Sequence, residues 1–167
     1  MIFEYCPKCG KSLDKKEIGD EGLVPFCSHC KRVFFNFSYT CVLCLCVDKN
    51  GNVLLTKKRI DSNYGLVAGY VKEGETVENA AEREVEEEVG LTVSELKFVK
   101  SRLHDINTLM INFICYVKDT HIKISERELY SAEWFTLDEA QNVEEIGVGT
   151  KSLLTDYVHG KANSLAQ

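Results

Sequence analysis

Two Cys-x-x-Cys pairs near the start of the chain limit how this segment can fold. The stretch "CPKC" holds Cys6 and Cys9, the stretch "CSHC" holds Cys27 and Cys30, and 17 residues separate the two pairs. The first 36 residues contain too few apolar residues for a core of their own, so they need a cross-link or a metal to fold. In a reducing compartment, cysteine pairs of this spacing hold metal more often than they form disulfides.

The four thiolates predict a structural zinc ribbon. Thiolates are soft ligands that suit tetrahedral Zn²⁺, and a closed shell of four thiolates leaves no position for a reacting water. Zinc ribbons often bind nucleic acid, but the basic and acidic residues of this segment nearly balance, and the whole chain carries a net charge of −6. We therefore expect no nucleic-acid partner, and we assign the ribbon to packing or to the formation of a homodimer.

The chain beyond Asn36 has the composition of an ordinary globular domain. The full sequence of 167 residues is 44% hydrophobic and 28% charged, and we expect a zinc ribbon at residues 1–36 followed by one domain at residues 37–167. No apolar run approaches the roughly 20 residues of a membrane helix, and the first residues, "MIFEYCPKCGK", lack the layout of a signal peptide. We therefore expect a cytoplasmic protein that does not associate with membranes.

Strand signals dominate the second segment. Asn50-Gly51 predicts a hairpin between "YTCVLCLCVD" and "VLLTKKR", and further strands are predicted at "LKFVKSRLH", "TLMINFICYVK" and "AEWFT". The two-residue period of a strand places Cys44 and Cys46 on one face and Cys41 on the other. We expect these three cysteines to be buried as small hydrophobic residues.

Helix signals occur in the middle and at the end of the chain. Thr76 is the predicted N-cap of a helix that runs to about Val89 and is closed by Gly90. Thr136 and Glu139 form the capping box of a second predicted helix, and "GTKSLLTDYVHG" predicts a last one. This order of elements predicts an α/β or α+β fold in which a mixed β-sheet lies between helices.

The predicted middle helix carries five glutamates within seven residues, in the stretch "AEREVEEEVGL". At about 100° per residue, Glu84, Glu87 and Glu88 share one face, whereas Glu86 points the opposite way. The apolar stripe that would fix the helix against a sheet comprises Val77, Ala80, Ala81, Val85 and Val89. Carboxylates on one face repel one another unless a divalent cation offsets their charge. The spacing fits a metal site and equally a solvated acidic face.

A longer pattern around this helix favours the metal site. Gly69 is followed after five residues by Glu75, and after seven more by "REVEEEVGL", which begins at Arg83. This order matches the Nudix box, G-x5-E-x7-R-E-U-x-E-E-x-G-U with U apolar, at every defined position. The chain therefore resembles a Nudix hydrolase over about residues 37–160. The resemblance implies a mixed sheet between helices and hydrolysis of a diphosphate bond with Mg²⁺ or Mn²⁺ as cofactor.

The resemblance also implies roles for particular residues. The Mg²⁺ or Mn²⁺ ligands of the family match Glu84, Glu87, Glu88 and the carbonyl of Gly69. Arg83 matches the arginine that orients the helix carboxylates, and we expect it to form an ion pair with Glu75. A bound water would attack phosphorus while a carboxylate accepts its proton.

A further glutamate from a loop after the box often takes part in Nudix catalysis. Glu126, Glu128 and Glu133 are the candidates in this chain. The stretch "ELYSAEWF" resembles the family segment E-[apolar]-x-x-A-x-W-[aromatic], which favours Glu128 as general base and metal ligand. We expect Glu133 to face solvent, because it precedes Trp134 on a strand and Trp134 suits the core.

The zinc ribbon together with "LVAGYVKEGET" is similar to the NAD(H) diphosphatase subgroup of the family, which has an aromatic residue at the position of Tyr70. The subgroup motif S-Q-P-W-P-F-P is absent, since the corresponding stretch is "KSRLHDINTLM". We therefore expect a small-molecule substrate of the NDP-X type, a nucleoside diphosphate linked to a further group X. Tyr70, Arg102 and His104 are candidate pocket residues, although Arg102 and His104 are also compatible with solvated strand ends.

Two alternatives to this function follow from the same residues. Hydrolysis of NAD(H) or of a related dinucleotide such as capped RNA is the alternative within the family. A non-catalytic nucleotide sensor is the alternative of another class, and the intact set of Arg83, Glu84, Glu87 and Glu88 argues against it.

Overall fold

A computed structural model of the chain describes residues 3–35, 37–59 and 62–165. The chain forms two compact units, Met1–Ser38 and Tyr39–Gln167. The predicted domain boundary falls on Asn36, which lies outside the described residues.

The first unit contains a small antiparallel sheet. Its strands are β1 Asp14–Glu17, β2 Leu23–Cys27 and β3 Arg32–Val33, in the spatial order β1-β2-β3, and a short 3-10 helix covers Gly19–Glu21. The ring of Phe3 packs against those of Phe34 and Phe37, with centroid distances of 5.8 and 5.5 Å. An aromatic cluster of this size buries too little surface to hold such a segment together without a further cross-link.

The second unit is built on a mixed sheet of seven strands. In chain order these are β4 Tyr39–Val47, β5 Val53–Lys58, β6 Tyr64–Gly65, β7 Val67–Tyr70, β8 Val93–Asp105, β9 Thr108–Val117 and β10 Leu129–Phe135. The main path of the sheet is β10-β5-β4-β9-β8, while β6 pairs with β5 and β7 with β4. β4 and β9 run parallel and the other pairs run antiparallel. The predicted mixed sheet is therefore confirmed.

Helices cover both faces of this sheet. They are α1 Val77–Val89, α2 Leu137–Gln141 and α3 Val148–Leu165. The buried residues of α1 belong to the core on one face, and those of α2 and α3 belong to the core on the other face. The predicted sheet between helices is thus confirmed, although α3 continues past Gly160, where the predicted segment ends. Among the described residues, no helix combines the length and apolar character needed to cross a membrane.

The central strand β4 supplies side chains to both cores. Cys44 and Cys46 lie in the core under α1 and Cys41 lies in the core under α2 and α3, as the strand period predicts. Cys46 is in register with Cys115 of β9. The neighbouring Cys115 thiol and burial hold the pKa of Cys46 well above its usual range. This thiol therefore stays neutral and packs as a small apolar group.

The turn between β4 and β5 depends on a buried carboxylate. Gly51 has a φ of +83°, which confirms the turn predicted at Asn50-Gly51. Asp48 is 5% exposed, and its Oδ1 accepts hydrogen bonds from the backbone N–H groups of Asn50 and Asn52, each at 2.8 Å. The hairpin thus has a polar anchor that its turn residues alone do not reveal.

Both predicted ends of α1 are confirmed. The hydroxyl of Thr76 accepts a hydrogen bond from the Asn79 N–H at 3.2 Å, and Gly90 closes the helix with a φ of +70°. Thr136 and Glu139 form the predicted capping box at the start of α2.

An ion pair with two hydrogen bonds fastens the loop before α1 to the helix. Arg83 Nε donates to Glu75 Oε1 at 2.7 Å, and Arg83 Nη2 donates to Glu75 Oε2 at 2.9 Å. Glu75 Oε2 also accepts from the backbone N–H of Lys72 at 3.0 Å. These hydrogen bonds lower the pKa of Glu75 to about 2, and those from Arg83 have the largest effect. The ion pair expected between Arg83 and Glu75 is therefore present.

We expect Glu75→Gln to lower the free energy of unfolding near neutral pH, because the amide loses two charge-assisted hydrogen bonds to Arg83. The pKa of Glu75 is about 2 in the folded protein against an ordinary value of 4.5. A carboxyl with a depressed folded pKa stabilises the fold above its unfolded pKa, and this contribution is lost as the pH falls toward the folded pKa. The difference in the free energy of unfolding between wild type and Glu75→Gln should therefore shrink progressively as the pH falls below 4.5.

Urea unfolding at a series of pH values measures this difference. Trp134 is the only tryptophan and lies in β10, so its fluorescence reports on the second unit. Glu73→Gln, which changes an exposed glutamate in the same loop, is the matched control. If the difference in unfolding free energy between wild type and Glu75→Gln does not vary with pH, the Glu75–Arg83 ion pair does not stabilise the fold as expected.

Candidate active site

A cavity of about 670 Å³ opens beside α1 in the second unit. Its basic and acidic lining residues are Lys58, Lys72, Arg83, Glu84, Glu87, His104, Asp105 and Glu128. Its other lining residues are Cys41, Ala68, Gly69, Tyr70, Thr108 and Met110. They come from the ends of β4, β5 and β7, from α1, from the tip of the β8–β9 hairpin and from the loop before β10. A cavity with both cationic and anionic side chains has the chemistry to hold an anion together with a metal ion.

The glutamates of α1 divide as the helical spacing predicts. Glu84 and Glu88 are only 8% and 1% exposed, and Glu87 is half exposed at the cavity. Glu82 and Glu86 are exposed to solvent. The apolar stripe of α1 packs on the sheet and sets the rotation of the helix, and this rotation directs the inner glutamates toward β7 and β5.

Arg83 connects several of the carboxylates. Its Nη1 donates to the carboxylates of Glu84 and Glu87, the second at 3.0 Å, and its Nη2 donates to the carbonyl of Tyr70 at 3.1 Å. The hydrogen bond from Arg83 lowers the pKa of Glu87. Together with Glu75, the guanidinium contacts three carboxylates and one carbonyl, so its charge offsets part of their mutual repulsion.

Glu88 is a buried carboxylate that the surrounding protein leaves unsatisfied. Within the described part of the chain, neither of its oxygens has a hydrogen-bond partner. Lys58 Nζ lies 3.8 Å from Glu88 Oε1. Burial raises the pKa of Glu88 to about 7, against the opposing effects of Lys58 and of the Ala68 backbone N–H, whose approach is too weak to count as a hydrogen bond by geometry. A group of this kind is costly to bury unless a ligand or an ion uses its lone pairs.

The backbone at Gly69 lies close to the carboxylate of Glu84. A Cβ atom at this position would collide with the carboxyl group of Glu84, so the close approach requires glycine. Carboxylate oxygens and backbone carbonyls are the ligands that Mg²⁺ and Mn²⁺ prefer. Two unsatisfied oxygens on Glu88 and a donor set made of oxygen therefore fit a divalent cation.

The loop before β10 brings Glu128 to the cavity. This loop is attached to the end of α1, because the N–H groups of Lys123 and Ser125 donate to the carbonyls of Val89 and Glu88 at 2.9 and 2.8 Å. Glu128 lines the cavity, whereas Glu126 and Glu133 are not among its lining residues. Glu133 is exposed on β10, and the neighbouring Trp134 packs against the core under α1.

Only two of the three candidate pocket residues line the cavity. Tyr70 and His104 line the cavity, and the ring of Tyr70 is 59% exposed there. Arg102 is not among the lining residues. Its guanidinium lies against Gly149 in the first turn of α3, where a Cβ atom would collide with it. The structure therefore brings Tyr70 and His104 together and places Arg102 elsewhere.

The cavity also contains residues that the sequence analysis did not single out, above all Lys58 and Asp105. Lys58 follows Leu54 and Thr56 on β5 at the two-residue period, and Leu54 lies in the core under α1. This alternation is a sequence signal that places Lys58 on the face of the glutamates. Asp105 had no comparable signal, because it lies at the tip of a hairpin whose register is irregular.

The first unit contains a second candidate metal centre. The Sγ atoms of Cys6, Cys9, Cys27 and Cys30 lie within 4.8 Å of one another, with Cys9–Cys27 at 3.7 Å and Cys6–Cys30 at 4.0 Å. Zinc–sulfur bonds in a tetrahedron imply sulfur–sulfur distances of about 3.8 Å. The hydrogen bond with Cys9, burial and the neighbouring Cys27 raise the pKa of Cys30 to about 12. Four thiolates at this separation would repel one another without a cation between them, and the geometry of the cluster fits Zn²⁺.

Comparison with known proteins identifies similar chains. Relatives that carry the name NAD-capped RNA hydrolase NudC include one from Edwardsiella ictaluri, which is 27% identical over 157 residues, or 92% of this chain and 60% of the relative. The relative of the same name from Haemophilus influenzae is 30% identical over 143 residues, or 81% of this chain and 52% of the relative. The chain thus spans between about half and three fifths of the length of these relatives.

Solved structures share the fold. A Nudix hydrolase from Nitrosomonas europaea superposes with a TM-score of 0.76 at 20% identity. The superposition covers 96% of this chain and 93% of the Nitrosomonas europaea chain. The Nudix domain of NrtR from Shewanella oneidensis, in complex with ADP ribose, superposes with a TM-score of 0.66 at 13% identity and covers 76% and 90% of the two chains.

The sequence model of the Nudix domain matches residues 39–157. This span contains the whole cavity lining, the box from Gly69 to Leu91 and both cores of the second unit. The chain therefore belongs to the Nudix domain family.

Proposed function

We propose that this protein hydrolyses a diphosphate bond in an NDP-X substrate and releases a nucleoside monophosphate and phosphorylated X. The observation that carries this proposal is the buried, unsatisfied carboxylate of Glu88 beside Glu84, on a helix whose sequence matches the Nudix box. A cavity of about 670 Å³ adjoins this helix and has room for a nucleotide.

Each residue of the box has a distinct role in this proposal. Mg²⁺ or Mn²⁺ would be held by Glu84, Glu87, Glu88, Glu128 and the carbonyl of Gly69. When bound, such an ion offsets the charge of the diphosphate and lowers the pKa of a coordinated water. Arg83 orients the carboxylates through the hydrogen bonds described above. Glu128, which lines the cavity, accepts the proton of the water that attacks phosphorus.

In this proposal, Tyr70 and His104 bind the substrate within the same cavity. The exposed ring of Tyr70, in edge contact with Tyr39 at a centroid distance of 5.6 Å, offers a surface on which a base stacks. His104 adjoins this region at the tip of the β8–β9 hairpin and contributes a hydrogen-bonding side chain. We assign no pocket role to Arg102, which contacts α3 instead.

NAD(H) or NAD-capped RNA is the second candidate substrate. It is favoured by the similarity to NAD-capped RNA hydrolases, which extends over 92% of this chain. The stretch "KSRLHDINTLM", which lacks the S-Q-P-W-P-F-P motif of the subgroup, argues against it, because its hairpin supplies His104, Asp105 and Thr108 to the cavity. An NDP-X compound with a different X group therefore remains the first candidate.

A substrate panel tests the proposed function. The purified protein with Mg²⁺ or Mn²⁺ is incubated with NADH, ADP-ribose, nucleotide sugars, FAD, dinucleoside polyphosphates, nucleoside triphosphates and NAD-capped RNA. We expect one class to release a nucleoside monophosphate, and we expect Glu88→Gln to slow this release by about a hundredfold or more. Tight binding of a nucleotide without turnover of any compound would instead indicate a nucleotide sensor.

The role of Glu128 is tested by comparing three variants. We expect Glu128→Gln to remain folded and to lower kcat by about a hundredfold or more, because general-base catalysis contributes a factor of this size. Glu126→Gln and Glu133→Gln are matched controls, since neither residue lines the cavity, and they should keep kcat within about twofold of wild type. A loss of activity in either control with normal activity in Glu128→Gln would reassign the base.

We further propose that the ribbon at residues 1–36 binds one structural Zn²⁺ and that residues 37–167 form the catalytic domain. We expect the purified protein to contain one zinc per chain and Cys27→Ser to lose it, because a structural zinc supplies the folding energy of such a small unit. Metal analysis measures the zinc, and protease digestion should then cut the first unit while leaving the second intact. Zinc-free protein with a protease-resistant first unit would overturn the assignment.

The thiolate ligands also bear on location and assembly. Four reduced cysteines require a reducing compartment, so we propose a cytoplasmic location. The near balance of charge on the ribbon favours a role in packing or in a homodimer over nucleic-acid binding. The small-molecule nucleotide is the proposed main partner.

A further inference from the structure

Lys58 lies beside the buried carboxylate that the proposed function assigns to the metal. The side chain leaves the end of β5, and its Nζ lies 3.8 Å from Glu88 Oε1. The same Nζ donates a hydrogen bond to the carbonyl of Ala68 at 3.5 Å. Among the described residues, this is the one ion pair of Glu88. The ammonium of Lys58 therefore stands where a cation is needed to offset the charge of Glu88.

The contacts of this ammonium are loose. A distance of 3.8 Å is longer than a hydrogen bond, and 3.5 Å is at the upper limit for one. The side chain of Lys58 is 40% exposed, whereas that of Glu88 is 1% exposed. Because the long, flexible Lys58 side chain is partly exposed, its ammonium can move toward solvent while the buried carboxylate stays in place.

The other cations beside the glutamates are held differently. Arg83 is fixed by hydrogen bonds to Glu75, Glu84, Glu87 and the Tyr70 carbonyl. Lys72 pairs with the exposed carboxylate of Glu87 at 3.5 Å. Neither forms an ion pair with Glu88. A divalent cation that binds Glu88 therefore meets Lys58, and like charges at this distance repel.

We propose that Lys58 acts as a resident counter-cation for Glu88, and that a divalent metal ion has to displace its ammonium from the carboxylate in order to bind. Lys58 is thus a positioning residue. It stabilises the carboxylate site before metal arrives and sets the metal affinity through competition. This inference rests on the proposed function, because it assumes that Glu88 is a metal ligand.

Mn²⁺ binding without substrate tests the competition directly. Free Mn²⁺ is followed by electron paramagnetic resonance at pH 8.0 in wild type, Lys58→Met and Lys58→Arg. Lys58→Met removes the competitor, so we expect the Mn²⁺ Kd to fall by about fivefold, the factor that an ion pair worth about 1 kcal/mol implies. Lys58→Arg keeps the charge and offers a planar fork for the carboxylate, so its Kd should equal or exceed that of wild type.

Thermal unfolding gives a second readout from the same variants. Metal-free Lys58→Met should have a lower Tm than wild type, because Glu88 loses its counter-ion. A ligand raises the Tm according to its affinity, so saturating Mn²⁺ should raise the Tm of Lys58→Met by more than that of wild type. The two proteins should therefore differ less with Mn²⁺ than without it.

Lys57→Met is the matched control for the loss of one positive charge from β5. Lys57 points to the opposite face, where its Nζ lies 4.2 Å from the ring centroid of Tyr64. Its substitution should change the Tm equally with and without Mn²⁺ and should leave the Mn²⁺ Kd unchanged.

The outcomes separate this inference from the proposed function. If Glu88→Gln weakens Mn²⁺ binding while Lys58→Met binds Mn²⁺ no more tightly than wild type, the metal site stands and the competition is overturned. A lower Mn²⁺ Kd in both Lys57→Met and Lys58→Met would show a general charge effect and would also overturn the proposed competition. If wild type binds no Mn²⁺, or if Glu88→Gln binds it normally, both the proposed metal site and the competition fail.

Discussion

The guanidinium of Arg83 makes the contacts on which the rest of the candidate site depends. It donates hydrogen bonds to Glu75, Glu84 and Glu87 and to the carbonyl of Tyr70, so it joins the loop before α1, the helix itself and the end of β7. Only arginine presents enough donors in one plane for this arrangement, because a lysine ammonium is a point charge with three donors. Without this cation, the carboxylates would repel one another and the loop would lose its attachment to the helix.

The site combines this satisfied network with a carboxylate that is left unsatisfied. Glu88 is the same residue type as Glu87 and lies next to it in the chain. Glu88 is nevertheless 1% exposed and without a hydrogen-bond partner among the described residues, while Glu87 is half exposed and paired with Arg83. The difference arises because α1 packs its apolar stripe on the sheet, and Glu88 lies on the buried side of this contact. Burial without hydrogen bonds lowers stability, which is the usual cost of a group kept ready for a ligand.

The parts of the site that follow from local patterns were predictable. Thr76 and Gly90 set the ends of α1, and helical spacing alone separated the inner glutamates from Glu86. The strand β8 was less predictable. Arg102 and His104 are two residues apart and should share a face, but the register of β8 shifts between Leu103 and Asp105. This irregularity ends the alternation, so Arg102 contacts α3 while His104 reaches the cavity.

The sequence by itself determined the family, the cluster of four cysteines and the side of α1 that carries the inner glutamates, because each depends on spacing along a single element or motif. Only the tertiary structure decided which distant residues meet these glutamates. Lys58 is 30 residues before Glu88 in the chain, and Glu128 is 40 residues after it. Both arrive through the order of strands and the attachment of a loop to the end of α1. Side-chain burial and ion pairing arise from contacts between elements, which a local sequence pattern does not contain.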